Sequence, residues 1–521
     1  MTVRTDRPLV MGTQGMVATG HHLATQAGLR ILQRGGNAVD AAIAAAAVVA
    51  VCKPSMNSLG GDNMSLLWNA RTEELQALNA NGWAPAAATL DQFAAGMPAH
   101  GPRAASVPGA VAGWDALLER AGTKALPELL EDAIGYARNG FAVSHLLHEE
   151  MEACRELLQA RPATARVFLP GGHVPAAGDV LVQADLAASL EVLAAQGANA
   201  FYRGELAQRI AECMAAEGGL MSAADLDQFR PQWKPPIHVT YRGVDVFGQP
   251  APSQGFIMAE ELNILEGCDP RALKPGELQH LMIEAKKLAF ADRSAFLGDP
   301  DFAAVPLDRL LSKEHAARQR ARIGERAQAA YQAESGGETT YLAVVDRWGN
   351  AVSFIQSIFR DFGSGVVVDG TGILLNDRML GFTTRPGHVN AVGPRKRPVM
   401  TLNACMLFRS GQPWIVFGTP GADAQVQSNF QQVVHWVDEG LDVQHAIEQP
   451  RWLHISGTDV LLEAGWDPAV AEALAARGHT PRIGPRWDKR MGGLQAISID
   501  RVNGVLSGGA DPRREGYAQG W

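Results

Sequence analysis

An α+β fold, with helical and strand layers sharing one core, is predicted by three observations. Residues 110–330 carry mostly helical periodicity. The chain from 339 onward breaks into short strand-like segments. Its 521 residues, 46% hydrophobic and 19% charged, exceed one ordinary domain of roughly 100–200 residues and suffice for a large core.

Taken in order, residues 20–52 read as a helix interrupted at Gly35-Gly36-Asn37, with Asn37 placed to cap the second piece. A Gly-rich turn at 58–63 leads into a strand over 64–68, whose neighbour is 74–78. Ser106-Val107-Pro108-Gly109 precedes a further helical stretch. Helical periods follow at 126–139, 184–196, 204–216, 278–296 and 307–323, with a short β section at 238–248. Residues 322–338 are polar and end in Ser-Gly-Gly-Glu, the composition of an exposed linker. Strands over 339–345 and 351–359 flank the turn Asp346-Arg347-Trp348-Gly349-Asn350, a hairpin signal. Further strands are expected at 365–368, 404–409, 414–417 and 494–499, with a helix over 425–439. The sequence carries no repeats and no low-complexity tract.

Composition excludes several classes of function. Lys plus Arg number 46 against 55 Asp plus Glu, a net charge of −9, which argues against a nucleic-acid partner. Five scattered cysteines without a C-x-x-C pair offer neither a disulfide framework nor a zinc site. The N-terminus lacks the apolar stretch of roughly 7–15 residues that export requires. The most apolar run, 41–52, is shorter than the ~20 residues that cross a bilayer, so it reads as a buried helix. A cytoplasmic location without membrane contact is expected. His145 and His148 stand beside Glu149 and Glu150, but no further ligands join them, so a polar helix surface is the better reading than a metal site. His21-His22 reads as a layer contact. The Gly60-Gly61 and Gly363-Ser364-Gly365 turns lack a phosphate-cradle pattern, and no cofactor fingerprint occurs. Arg395-Lys396-Arg397 is too short for a nucleic-acid patch and is placed near a pocket rim, where it would attract anions.

The informative place is the junction Gly336-Gly337-Glu338-Thr339-Thr340-Tyr341. A Thr opening a β-strand is ordinarily only a strand former. If the bond before Thr339 were cut, however, that residue would carry both a hydroxyl and a free α-amine, whose reference pKa is near ~8. The amine can take the hydroxyl proton and later return it to a leaving amine, so one residue supplies nucleophile and base. The same hydroxyl could first attack the Glu338 carbonyl, giving an ester that water opens.

The surroundings favour that chemistry. Residues 339–382, TTYLAVVDRWGNAVSFIQSIFRDFGSGVVVDGTGILLNDRMLGF, closely resemble the start of the small subunit of the γ-glutamyltransferase family, whose members are self-cleaving N-terminal-nucleophile hydrolases. Matching motifs recur in order at 35–45 (GGNAVDAAIAA), 58–63 (SLGGDN), 106–114 (SVPGAVAGW), 392–398 (VGPRKRP), 418–423 (GTPGAD), 449–452 (QPRW) and 507–516 (SGGADPRREG). The resemblance implies a four-layer αββα sandwich built from a large piece, 1–338, and a small piece, 339–521, that stay associated. It implies Thr339 as nucleophile and Glu338–Thr339 as the cleavage site. Ser357 falls where the family has a second Thr whose hydroxyl hydrogen-bonds the nucleophile. Gly421 and Ala422 fall on the Gly-Gly pair whose N–H groups form the oxyanion hole.

Substrate recognition departs from the family. Members acting on γ-glutamyl compounds hold the α-carboxylate with an Arg; the corresponding residue here is Asn81. Phe359 replaces an Asn. Arg378 and Gly381 stand where the family has a Gln and the Asp that holds the α-amino group. Of the paired serines, only the second keeps a hydroxyl, as Thr401, beside Met400. Losing the Asp removes the partner of an ammonium, and gaining Arg378 supplies a fork for a carboxylate, unless it pairs with Asp377 or another carboxylate of the chain. The expected substrate is a compact anionic amide, as in the oxamate amidohydrolase-like branch. The alternatives are γ-glutamyl transfer or glutathione hydrolysis, and an uncleaved binding homologue without activity. Metals and cofactors are not expected, and oligomers of the cleaved heterodimer are possible.

Overall fold

The computed structural model describes residues 5–329 and 338–521. Two seven-stranded antiparallel sheets form its centre. Across the first run Tyr517–Gly520, Met16–Thr19, Glu338–Val345, Ala351–Phe359, Asp62–Asn69, Glu74–Ala80 and Gln232–Lys234. Across the second run Val10–Gly12, Val505–Ala510, Gln495–Asp500, Gln412–Gly418, Cys405–Arg409, Val244–Gly248 and Ile237–Tyr241.

Alternation along single strands builds the four layers, because successive side chains leave opposite faces of a sheet. In Glu338–Val345, Leu342 and Val344 join the core beneath the first helical layer, whereas Tyr341, Ala343 and Val345 join the core between the sheets. In Cys405–Arg409, Cys405 and Leu407 face the second helical layer while Met406 and Phe408 face the first sheet. The helices His22–Gln33, Ala38–Cys52, Ala110–Ala121 and Leu126–Asn139 cover one side. Gly255–Glu266, Glu277–Phe296 and Ala424–Val437 cover the other. The expected αββα sandwich is therefore present.

Every residue of Ala38–Cys52 is buried, which explains an apolar helix without a polar stripe. Its start is fixed locally: Asn37 accepts from the Val39 and Asp40 N–H groups, and Asp40 accepts from Asn37 N–H at 2.9 Å. Asp40 also accepts from the N–H groups of Thr123 (2.8 Å) and Lys124 (3.1 Å), tying this cap to the next helical hairpin. Asp40→Ala is expected to cost about 2–3 kcal/mol, because several N–H groups lose their acceptor together. A fall in the urea midpoint checks this.

Several elements differ from expectation. Residues 307–323 form two helices, Leu307–Leu310 and Lys313–Arg320, because Ser312 caps the second by accepting from His315 N–H at 3.1 Å. The strand expected at 365–368 shrinks to Val367–Val368. Gly255–Glu266 left no periodic signal because protein surrounds it on all sides. Two of the basic triplet turn inward while Arg395 stays exposed: Lys396 Nζ donates to the carbonyls of Val389 (2.7 Å) and Ala391 (2.9 Å), and Arg397 binds Asp301. Of the polar linker, 322–329 is mostly exposed, and 330–337 lies outside the described residues. Among the described residues no helix is long and apolar enough to cross a membrane. The five cysteines are unpaired.

Candidate active site

Strand pairing aims the candidate nucleophile. Glu338 pairs with Phe359 and Thr340 with Gln356, so the ladder shifts register at Thr339. The extra residue lies on the partner strand, where Ser357 and Ile358 together oppose Thr339, and such a bulge locally re-aims the side chains around it. Thr339, 2% exposed, donates from Oγ1 to Ser357 Oγ at 3.2 Å. Ser357 Oγ also accepts from the Phe359 N–H at 2.8 Å. Next along, Thr340 Oγ1 accepts from Asn57 Nδ2 at 2.7 Å. The strand runs unbroken through 338 and 339, so Thr339 here carries a peptide nitrogen. The SLGGDN turn lies hard against the neighbouring strand Ala351–Phe359: a Cβ at Gly61 would sit 2.6 Å from the Ser357 carbonyl oxygen, so only glycine permits the approach.

Thr339 lines a narrow hollow with Lys53, Met56, Pro420 and Arg514. Pro420 opens the loop that carries Gly421 and Ala422. Gly421 has φ +119, and Ala422 has φ +48, a left-handed value uncommon for a residue with a Cβ. Neither N–H donates a hydrogen bond among the described residues. The loop is held from outside: Gln254 Nε2 donates to the carbonyls of Ala422 and Thr401, each at 3.0 Å, and Thr419 Oγ1 accepts from Gly493 N–H at 2.9 Å. Arg293 Nη1 donates to Asp423 Oδ1 at 2.5 Å.

A cleft of about 290 Å³ opens beside this loop, lined by Phe359, Gly381, Thr401 and Ala422 together with Arg293, Arg360, Arg385 and Asp423. Four positions singled out from sequence thus meet in one cavity. Arg378 does not line it. Its guanidinium is fully buried, donates from Nε to Asp62 Oδ2 at 3.2 Å, and lies 4.5 Å from the Phe359 ring centroid. Its Nη1 and Nη2 are buried without a hydrogen-bond partner. Burial pushes the Asp62 carboxyl up to about 6 although Arg378 pulls it down, and burial lowers the guanidinium in turn. Burial also takes neighbouring Asp377 up to about 7. The pair is therefore only partly compensated for its desolvation. Asn81 sits apart from the cleft lining: its Nδ2 donates to the Pro398 carbonyl at 2.9 Å, and its own carbonyl accepts from Arg397 Nε.

His148 Nδ1 bonds the Pro175 carbonyl at 2.8 Å, and His21 Nδ1 caps its helix by accepting from Leu23 N–H. Two other clusters bring His and carboxylates together. In one, His280 Nδ1 and His479 Nε2 share a proton at 2.9 Å and Lys287 occupies Glu284 at 2.6 Å. In the other, His315 Nε2 is taken by Asp292 at 2.8 Å and Glu260 at 3.2 Å. Protein partners thus already use their ligand atoms. Sequence reasoning missed Lys53, Gln254, Arg293 and Arg514 around the site. Asp423 lay inside the GTPGAD motif and Arg514 inside SGGADPRREG, which were their available signals; Lys53, Gln254 and Arg293 lie in segments whose patterns speak only of packing.

Comparison with known proteins gives a consistent picture. The sequence profile of the family described as Gamma-glutamyltranspeptidase matches residues 24–521. The chain is 40% identical to the "Glutathione hydrolase-like YwrD proenzyme" of Bacillus subtilis (strain 168), covering 98% of this chain and 99% of the relative. It is 35% identical to the "Oxamate amidohydrolase proenzyme" of Klebsiella pneumoniae, covering 98% and 99%. Among solved structures, cephalosporin acylase from Bacillus halodurans superposes with a TM-score of 0.95 at 36% identity, covering 100% of this chain and 98% of that one.

Proposed function

Because the chain belongs to the gamma-glutamyltranspeptidase family, we propose that it is a self-processing amidohydrolase with Thr339 as its N-terminal nucleophile. It is an amide-bond hydrolase of the N-terminal-nucleophile type. The observation that carries the assignment of the nucleophile is the Thr339–Ser357 hydroxyl pair at a strand bulge, immediately after a polar segment. Both curated relatives are named as proenzymes, in keeping with a maturation step.

In maturation, Thr339 Oγ attacks the Glu338 carbonyl carbon. The 338–339 C–N bond breaks, an ester forms, and water opens it to a carboxylate at 338 and a free amine at 339. Residues 1–338 and 339–521 then remain associated, since both supply strands to the first sheet. In turnover, the amine takes the Thr339 hydroxyl proton as Oγ attacks the substrate carbonyl, then delivers it to the departing nitrogen. The Gly421 and Ala422 N–H groups receive the oxyanion. Water releases the acid and regenerates Thr339.

For the substrate, the relatives' names divide between glutathione and oxamate, so the cleft's charge is the deciding argument. Among the described residues Asp423 is the one carboxylate of the lining and is already held by Arg293, while Arg360 and Arg385 make no salt bridge there. Such a lining disfavours an ammonium and attracts an anion. We therefore assign a compact carboxylate-bearing amide, oxamate-like, over a γ-glutamyl amide. Arg378, with two unpartnered nitrogens behind the Phe359 ring, is the group assigned to the carboxylate; binding then requires that ring to swing aside. Purified protein is expected to hydrolyse oxamate with kcat/KM at least ~10-fold above that for a γ-glutamyl anilide. The reverse preference refutes the substrate assignment.

A further inference from the structure

We propose that Arg293 and Asp423 form a clamp that holds the Gly421–Ala422 loop in its oxyanion-binding conformation, making Arg293 a positioning residue supplied by the large segment to a loop of the small one. This rests on the reading of Gly421 and Ala422 as the oxyanion hole.

The loop needs a restraint. Ala422 at φ +48 sits where a Cβ crowds the backbone, and such residues keep their conformation only when their surroundings over-determine it. The residue that follows is Asp423, whose carboxylate accepts from Arg293 Nη1 at 2.5 Å with both side chains almost buried, 12% and 9% exposed. A charge-assisted hydrogen bond in so little solvent is strongly directional. Asp423 is also fixed through its carbonyl, which accepts from Gln427 Nε2 at 3.2 Å, so the helix Ala424–Val437 holds its other side. Arg293 is braced in turn: it belongs to the long helix Glu277–Phe296, and its guanidinium lies 5.3 Å from the Phe290 ring centroid one turn earlier. Gln254, the residue that precedes the helix Gly255–Glu266, grips the Ala422 carbonyl. Held at the Ala422 carbonyl by Gln254 and at the Asp423 carboxylate by Arg293, the peptide units of 421–423 have little freedom to flip. Every restraint from Arg293 and Gln254 crosses from the 1–338 segment to the 339–521 segment. After cleavage the oxyanion loop would therefore be correctly shaped only while the two pieces remain docked.

The test uses mature protein and compares Arg293→Lys, Arg293→Asp, Asp423→Asn and the exchange of both charges, Arg293→Asp with Asp423→Arg. Kinetics on the preferred amide are read beside a crystal structure of each variant. The expected result is a kcat ~10–100-fold lower in the single variants, a smaller loss than the 10²–10³ for deleting an oxyanion donor outright. KM should stay within about threefold, since a transition-state contact is lost rather than ground-state binding. The loop at 420–423 should be displaced, and the exchange should recover at least ~5-fold of kcat over Arg293→Asp alone, the signature of coupled partners. Asp423→Asn keeps the side chain's size, so the comparison survives if Arg293→Lys fails to fold or mature. A raised KM with unchanged kcat overturns the proposal by making Arg293 a substrate contact. An undisplaced loop, or additive effects without rescue, also overturns it. A displaced loop with unchanged kcat instead sinks the oxyanion reading, and the clamp's catalytic role with it.

Discussion

Thr339→Ala protein is expected to run as a single full-length band on a denaturing gel and to hydrolyse no amide above background. Wild type should instead give two bands whose masses sum to that of the intact chain. The substitution removes the one oxygen that both steps require, so neither the 338–339 bond nor a substrate can be attacked. Losses of ~10⁴-fold or more in kcat accompany removal of a catalytic nucleophile. Thr339→Ser keeps a hydroxyl and an α-amine and should still mature. Ser357→Ala keeps the nucleophile but deletes the acceptor at 3.2 Å, so it should slow cleavage and turnover together without abolishing either. N-terminal sequencing of the smaller fragment decides the site: a first residue other than Thr339 removes the mechanism.

Arg378→Met is expected to raise KM for a carboxylate-bearing amide by ~100-fold, the loss of one charge-assisted bidentate contact at about 1.4 kcal/mol per tenfold. The same change strips Asp62 of its cation, and this second effect has a distinct pH signature. Burial already places the Asp62 carboxyl at about 6, above the ordinary carboxylate value, so the folded state binds more protons than the unfolded state in the window between the two. Stability attributable to this group therefore falls as pH rises through that window. Without Arg378 the folded value climbs further. The stability gap between wild type and variant should accordingly be small near pH 4 and widen towards pH 8, as thermal melts would show. Adding Asp62→Asn should close the gap without restoring KM. If the double variant recovers both, Arg378 is structural only and the carboxylate is held elsewhere.

The fold was legible where physical causes are local. Asn37 capping a buried Ala-rich helix, the hairpin around Asp346–Asn350 and the strand over 339–345 follow from nearest-neighbour chemistry, and each is present. The helix Gly255–Glu266 was illegible, because a segment buried all round has no polar face to mark its period. The split at Ser312 was missed because a single capping oxygen outweighed a continuous periodic pattern. At the site, Phe359, Thr401 and Ala422 converge on the cleft, whereas Asn81 is spent on a backbone carbonyl and Arg378 lies behind an aromatic ring.

By itself the order of residues determined the layered α+β architecture and the family, and it singled out the threonine proposed as nucleophile, because these rest on short motifs and on helical and strand-like periods. Only the tertiary structure decided which charges meet. Asp62 and Arg378 are 316 residues apart, and Arg293 and Asp423 are 130 apart. Their contact exists only once the two sheets have stacked and drawn helix, loop and strand to one place, and no local spacing encodes that distance.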